Sequence, residues 1–187
     1  MAITTLDTNT ALILIDLQKG ILALPGLPPL AGVVANARAL ADAFRAKALP
    51  VVLVNVAGAA PGRNDQPPRD LSAMPADWTE LVPELNRQPQ DHLVTKRTWG
   101  AFTGTGLEQH LKSLGVTQVV LAGVATSVGV ESTARQAQEA GFHVTLAIDT
   151  MADLNPDAHH NSITRIFPRV GETGAARDVV ALLEQRA

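Results

Sequence analysis

Short apolar runs, each followed by a longer amphipathic stretch, constrain this chain more than any other feature. The runs are Ala11 to Ile15, stopping at Asp16; Val51 to Val56; His92 to Thr95, ending at Lys96; Val119 to Ala122; and Val144 to Ile148. They are continuous rather than alternating in polarity. That is the pattern of strands buried on both faces of a parallel sheet. Helices fit between them. Leu30 to Ala48 carries a stripe of Val33, Val34, Ala37, Leu40, Ala41 and Phe44, and Thr105-Gly106-Leu107-Glu108 reads as a capping box opening a helix that Gly115 stops. A further helix is expected over Ser127 to Ala140. Asn155-Pro156-Asp157 signals a helix start, with an N-cap Asn, Pro at the first position and an acid at the positive end of the dipole. A short strand near Arg169-Val170 and a last helix over Thr173 to Arg186 complete a β-α alternation. The expected fold class is α/β, with helices on both faces of the sheet.

One stretch departs from this rhythm. Residues 57–90 are rich in Pro, Gly, Asp and Arg, with a short helix expected around Asp77 to Leu85. A segment this long with little regular structure is either a solvated excursion or a cover for a site. No internal repeat, low-complexity tract or second domain interrupts the chain, so residues 1–187 are read as a single domain.

Composition excludes several classes of chemistry. The chain has no cysteine, which removes disulfides, Cys-ligated metals and any thiolate nucleophile. A formal net charge of −3, without a run of Lys or Arg, gives no electrostatic reason to expect nucleic acid or an acidic membrane as partner. Apolar runs of about eight residues fall far short of a membrane span. Met1 to Thr10 lacks the basic-then-apolar order of a signal peptide, so a cytoplasmic location is expected.

The polar residues that end the runs point to a site. In an open parallel sheet, ligands bind beyond the carboxyl ends of the strands, where the strand order reverses. Asp16 ends the first run, Lys96 the third, and Gly123-Val124-Ala125-Thr126-Ser127-Val128-Gly129 follows the fourth into a helix. A carboxylate and an ammonium meeting there tune each other's proton affinity, which suits proton transfer; a structural ion pair has the same composition. The helix start adds backbone N–H groups suited to an oxyanion. Trp99 and Phe102 follow Lys96 closely and either line an apolar pocket or pack the loop; in a chain with 3% aromatic residues the pocket is favoured.

Other motifs carry less. Gly104-Thr105-Gly106 lacks the third glycine of a dinucleotide fingerprint, and no phosphate-cradling loop ending in Lys-Ser or Lys-Thr is present. His159 and His160 are adjacent, so a helix would splay them about 100° apart, which suits solvent or a cap rather than one metal. Ser127 and Ser132 lack a histidine at a recognisable triad position.

Three blocks together resemble the isochorismatase-like hydrolase superfamily, from about Thr10 to the last helix. They are Leu12-Ile13-Leu14-Ile15-Asp16-Leu17-Gln18-Lys19-Gly20; the lysine segment Lys96 to Leu107; and Leu121 to Ala134, which contains Ala125-Thr126-Ser127-Val128-Gly129. The resemblance implies a three-layer α-β-α fold with a six-stranded parallel sheet in the order 3-2-1-4-5-6. It also implies a homo-oligomer (dimer or tetramer) and a cis peptide between Val124 and Ala125. Most members are cysteine hydrolases that cleave amide or carbamoyl groups with an Asp-Lys-Cys triad. Asp16 and Lys96 match the first two members, and Gly129 stands where the cysteine does, so a covalent acyl-enzyme on that residue is impossible. The small glycine is expected to open room beside the dyad. Isochorismatases of this family also carry glycine there and hydrolyse a vinyl ether. By that analogy Asp16 protonates the vinyl methylene, water attacks the oxocarbenium ion, and Lys96 stabilises the carboxylate-bearing fragment. That role needs Asp16 protonated, against the pull of Lys96.

The third block sits closer to the amidase-like branch than to the isochorismatase form. The Asp-x-His metal motif of nicotinamidases is replaced by Ala57-Gly58-Ala59-Ala60, so neither a metal nor another cofactor is expected. The substrate-contacting set implied is Trp99, Phe102, Val124, Ala125, Thr126 and Arg97, with Arg63 and Arg69 as further cations for a dianion. Three readings stay open: a hydrolase acting on a vinyl ether such as isochorismate through Asp16, Lys96 and water; a C–N hydrolase of the same fold using activated water; and a catalytically silent homologue binding a small acid. Pyruvate release from isochorismate, turnover of amides, or saturable binding alone separates them.

Overall fold

The computed structural model describes residues 3–66, 70 and 73–186. Six parallel strands form one sheet in the order β3-β2-β1-β4-β5-β6: β1 (Thr10–Ile15), β2 (Val51–Val56), β3 (His92–Lys96), β4 (Gln118–Val124), β5 (His143–Ala152) and β6 (Glu172–Gly174). Alternate residues of each inner strand feed two separate cores. Leu12, Leu14, Leu53 and Val120 pack with Leu40 and Phe44 of α2 (Ala31–Ala46) and Val179 and Leu183 of α7 (Ala176–Glu184). Ile13, Ile15, Val54 and Leu121 pack on the opposite face. There they meet Leu107 and Leu111 of α3 (Leu107–Ser113), Ala134 and Ala137 of α4 (Glu131–Glu139), and Phe167 of α6 (Phe167–Val170). The remaining short helices are α1 (Lys19–Leu22) and α5 (Pro156–Asn161). This is the expected three-layer α-β-α arrangement, with helices on both faces because both faces of the strands are apolar.

Several local expectations are corrected. β3 is an edge strand buried on one side only, with Leu93 39% exposed, so its apolar run does not mean burial on both faces. The last strand lies at 172–174 rather than near Arg169-Val170, since Pro168 in the first turn of α6 suits a helix start. The capping box before α3 does not form. Gly106 takes a left-handed conformation (φ +74°), and Thr105 instead accepts from the Leu107 N–H at 3.3 Å and donates to the Ala101 carbonyl at 2.6 Å. The expected helix over Ser127 to Ala140 begins as a π turn, Thr126–Val130, before α4. Asn155 caps α5 as its sequence predicts, accepting from the N–H groups of Asp157 and Ala158.

Where a helix was expected over 77–85, the described residues form a 3-10 turn at Pro83–Leu85. The second half of the 57–90 segment is pinned over the ends of β1 and β2. Gln18, fully buried, donates to the Val56 and Trp78 carbonyls at 3.0 Å and accepts from the Val56 N–H at 2.7 Å. Asn55 donates to the Thr79 carbonyl at 2.8 Å. Lys19 pairs with Asp77 and Glu80. Arg69 lies outside the described residues.

Candidate active site

The strand order reverses between β1 and β4, and the polar residues gather at that rim. The two strands approach so closely that a Cβ on Gly123 (φ +125°) would lie 2.1 Å from the Ile15 carbonyl oxygen. Glycine is therefore required immediately beneath the next residue, Asp16, which itself turns out of β1 at φ +52°.

Asp16 and Lys96 start two strands apart, roughly 10 Å at ordinary strand spacing. The lysine stem lies buried across the end of β2 and brings Nζ to 2.9 Å from Asp16 Oδ2. A second Nζ proton goes to the Trp99 carbonyl at 2.5 Å. Lys96 is 1% exposed and Asp16 6%. The other carboxylate oxygen, Asp16 Oδ1, is buried and has no hydrogen-bond partner among the described residues. Burial raises the Asp16 pKa from 3.8 to about 6, outweighing the opposing pull of Lys96. At pH 7 about a tenth of such a group is protonated. Desolvation thus moves the pKa of this carboxyl, which the sequence left in tension with Lys96, close to neutral pH.

Gly129 stands against this pair. A Cβ built there would lie 3.1 Å from Lys96 Nζ, 3.3 Å from Asp16 Oδ2 and 3.1 Å from Ile15 Cγ2. Position 129, where the resemblance puts the cysteine, therefore adjoins both Asp16 and Lys96. The extra room expected from the glycine is smaller than its missing side chain suggests, because the dyad leans onto it.

The turn that carries Gly129 is held from several sides. The peptide between Val124 and Ala125 is cis. Buried Asp153, just beyond β5, accepts from the Ser127 N–H at 2.7 Å, the Ser127 hydroxyl at 2.8 Å and the Asn155 N–H at 3.0 Å. The Val128 and Val130 N–H groups donate to the Ala125 carbonyl. The expected cradle of unpaired amides is consequently narrower, since Ser127, Val128 and Val130 all donate within the protein.

The remaining expected contacts divide. Val124 and Thr126 turn their side chains into the interior, both 0% exposed, so Ala125 is the half-buried member of that trio. Trp99 contributes its carbonyl to Lys96, while the residue as a whole is 61% exposed. Phe102 packs 6.0 Å from Phe142, which precedes β5 and so belongs to the opposite, amino end of the sheet. Its apolar character serves the core instead of the rim. Arg97 donates to the Ala57 carbonyl at 3.0 Å and stays exposed. His159 is half-buried, with its Nδ1 2.8 Å from the Thr126 hydroxyl oxygen, whereas His160 is exposed. Ser127 is engaged by Asp153, not by a histidine. Among the described residues, no group of three or more His, Asp or Glu side chains is placed to hold a metal ion.

Asp153, Gln18 and Asn55 were not singled out from sequence. The first had a legible signal, an acid at the carboxyl end of a strand. It was missed because β5 runs on past Ile148 through a register shift against β4. Gln18 and Asn55 were visible as polar residues inside or beside apolar runs.

Comparison with known proteins agrees with this geometry. Residues 10–178 match the isochorismatase domain. The isochorismatase family protein YwoC of Bacillus subtilis (strain 168) is 42% identical over 183 residues, covering 95% of this chain and 94% of its own. A ureidoacrylate amidohydrolase, RutB of Pseudomonas syringae pv. syringae, is 30% identical over 179 residues, covering 80% and 71%. The crystallised isochorismatase family protein of Burkholderia thailandensis superposes with a TM-score of 0.91 at 42% identity, covering 98% of this chain and all of that one. With the strand order, the dyad and the turn beside Gly129 already in place, these matches make the chain a member of the isochorismatase family.

Proposed function

We propose that this protein hydrolyses a small carboxylated substrate with water, using Asp16 and Lys96 and no covalent intermediate on the protein. The observation that carries the reading is the Asp16 carboxyl: it is buried and raised to about 6, its Oδ2 stands beside Gly129, and its Oδ1 has no partner among the described residues. A carboxyl poised near neutrality can deliver a proton, which ordinary aspartate at pH 7 does poorly. On a vinyl ether such as isochorismate, Asp16 gives its proton to the terminal methylene and leaves an oxocarbenium ion. Water adds to the cationic carbon and loses a proton, and the hemiketal breaks its C–O bond to release a 2-oxo acid and an alcohol. Lys96 has a third N–H beyond those given to Asp16 and Trp99, suited to the substrate carboxylate.

The amidohydrolase name of the RutB relative favours a second reading, in which ionised Asp16 takes a proton from the attacking water and a C–N bond is cleaved. In either reading the ligand is a small molecule with no cofactor, nucleic acid or membrane involved. Among the described residues, no helix is long and apolar enough to cross a membrane. The family resemblance supports a cytoplasmic homo-oligomer, dimer or tetramer, built from this one domain.

The test is purified protein assayed with isochorismate beside a panel of amides from pH 4.5 to 8. Pyruvate release with kcat/KM rising as pH falls towards 6, and lost in Asp16→Asn, is the expected outcome. Amide turnover alone, with kcat/KM falling below pH 6, replaces it with the second reading. Saturable binding of a small acid without turnover of anything removes both.

A further inference from the structure

Thr133 lies on the buried face of α4 and is 0% exposed. Its hydroxyl donates to the Gly129 carbonyl at 2.7 Å and accepts from the Ala101 N–H at 3.1 Å. The first bond is one that threonines in helices often make to the carbonyl four residues back, with no function attached. The second is different, because Ala101 is 32 residues away, in the loop after β3. Two residues before Ala101 in that loop is Trp99, whose carbonyl takes a proton of Lys96. One turn further along α4, Gln136 accepts from the Phe102 N–H at 3.1 Å and donates to the Thr103 hydroxyl at 2.7 Å. The same amide fills the space beside Gly100, where a Cβ would lie 2.1 Å from its oxygen. The helix thus grips residues 100–103 at two levels, and at the upper level one hydroxyl touches both the Gly129 turn and the lysine loop.

We infer that Thr133 is a positioning residue, whose hydroxyl ties the Gly129 turn to the loop that aims Lys96 and so sets the geometry of the Asp16–Lys96 pair. A valine has nearly the same shape but lacks both bonds. It leaves the Ala101 N–H buried without a partner, and the loop carrying the Trp99 carbonyl is free to shift. A serine keeps both bonds and loses only a methyl group. The inference rests on the dyad being the working pair for its catalytic consequence, but not for its structural one.

The experiment compares wild type, Thr133→Val and Thr133→Ser, with the Asp16 carboxyl titrated by carbon-13 NMR and turnover measured on whichever substrate wild type accepts. Thr133→Val is expected to move the Asp16 midpoint by about half a pH unit or more. It is also expected to lower kcat about tenfold or more with KM little changed, and Thr133→Ser to restore both. If the valine variant does not fold, Thr133→Ala removes the same hydroxyl and is read in its place. An unchanged Asp16 midpoint in a folded variant lacking the hydroxyl overturns the inference, whatever the activity. A moved midpoint in a protein that turns over no substrate leaves the positioning role standing and discards the catalytic reading on which its consequence rests.

Discussion

Two carboxylates in this molecule are buried against cations, and they are completed differently. Asp91 precedes β3 and meets Arg45 of α2 through both oxygens, Nε to Oδ1 at 3.1 Å and a terminal nitrogen to Oδ2 at 2.7 Å. The Gln88 N–H adds a third bond at 2.7 Å, and Arg45 also reaches Asp42 and the Leu85 carbonyl. Asp16, also buried, meets Lys96 through one oxygen and leaves the other with no donor among the described residues. The first pair is a closed fork that ties the segment before β3 to α2. The second is an open pair with unused hydrogen-bonding capacity on both members. Burial alone does not separate them. What separates them is whether every lone pair and proton already has a partner.

Breaking each pair should therefore produce opposite phenotypes. The largest effect is expected from Lys96→Met or Asp16→Asn, each lowering kcat/KM about a hundredfold or more in steady-state assays. Asp91→Ala should leave the activity of the folded fraction unchanged. Stability reverses the order. Asp91→Ala strands Arg45 beneath the surface and is expected to cost about 3 kcal/mol in urea unfolding, towards the low end for a buried pair because Asp42 remains in contact. Lys96→Met should cost less at neutral pH, because Asp16, already at about 6, takes up a proton when its cation is removed. The smallest effect belongs to Lys19, whose bonds to Asp77 and Glu80 sit in solvent. Lys19→Met should leave the urea midpoint essentially where it is.

Much of the fold was legible because burial on two faces leaves a simple mark. The strands containing Ile13, Val52 and Val120 carry continuous apolar residues, and the order of the sheet followed from family resemblance. The edge strands need satisfy only one face: β3 was located at His92 to Lys96 but is not buried on both sides, and β6 was placed a few residues early. The dyad was legible because strand ends in such sheets converge, so Asp16 and Lys96 could be paired before their 2.9 Å contact was known. The pocket lining was not. Trp99 and Phe102 were chosen for being aromatic near Lys96, but side-chain direction in a loop is set by partners such as Gln136 and Phe142 that lie far away in sequence. Thr133 was hidden for the same reason, since its partner Ala101 comes from another segment.

The contrast between the pairs also predicts a pH dependence of folding. Asp16 binds its proton more tightly folded than unfolded, with its pKa raised from 3.8 to about 6. Its contribution to stability is therefore greatest below about pH 4. It declines as pH rises to about 6, by roughly 3 kcal/mol, and is then constant. The most direct measurement is a carbon-13 titration of the aspartate carboxyls in the intact protein, with the Asp16 signal identified by its loss in Asp16→Asn. The open, desolvated pair predicts a midpoint at about 6 for that signal. A midpoint at or below the ordinary aspartate value of 3.8 would make the Asp16–Lys96 contact a closed ion pair like Arg45–Asp91 and would contradict the account.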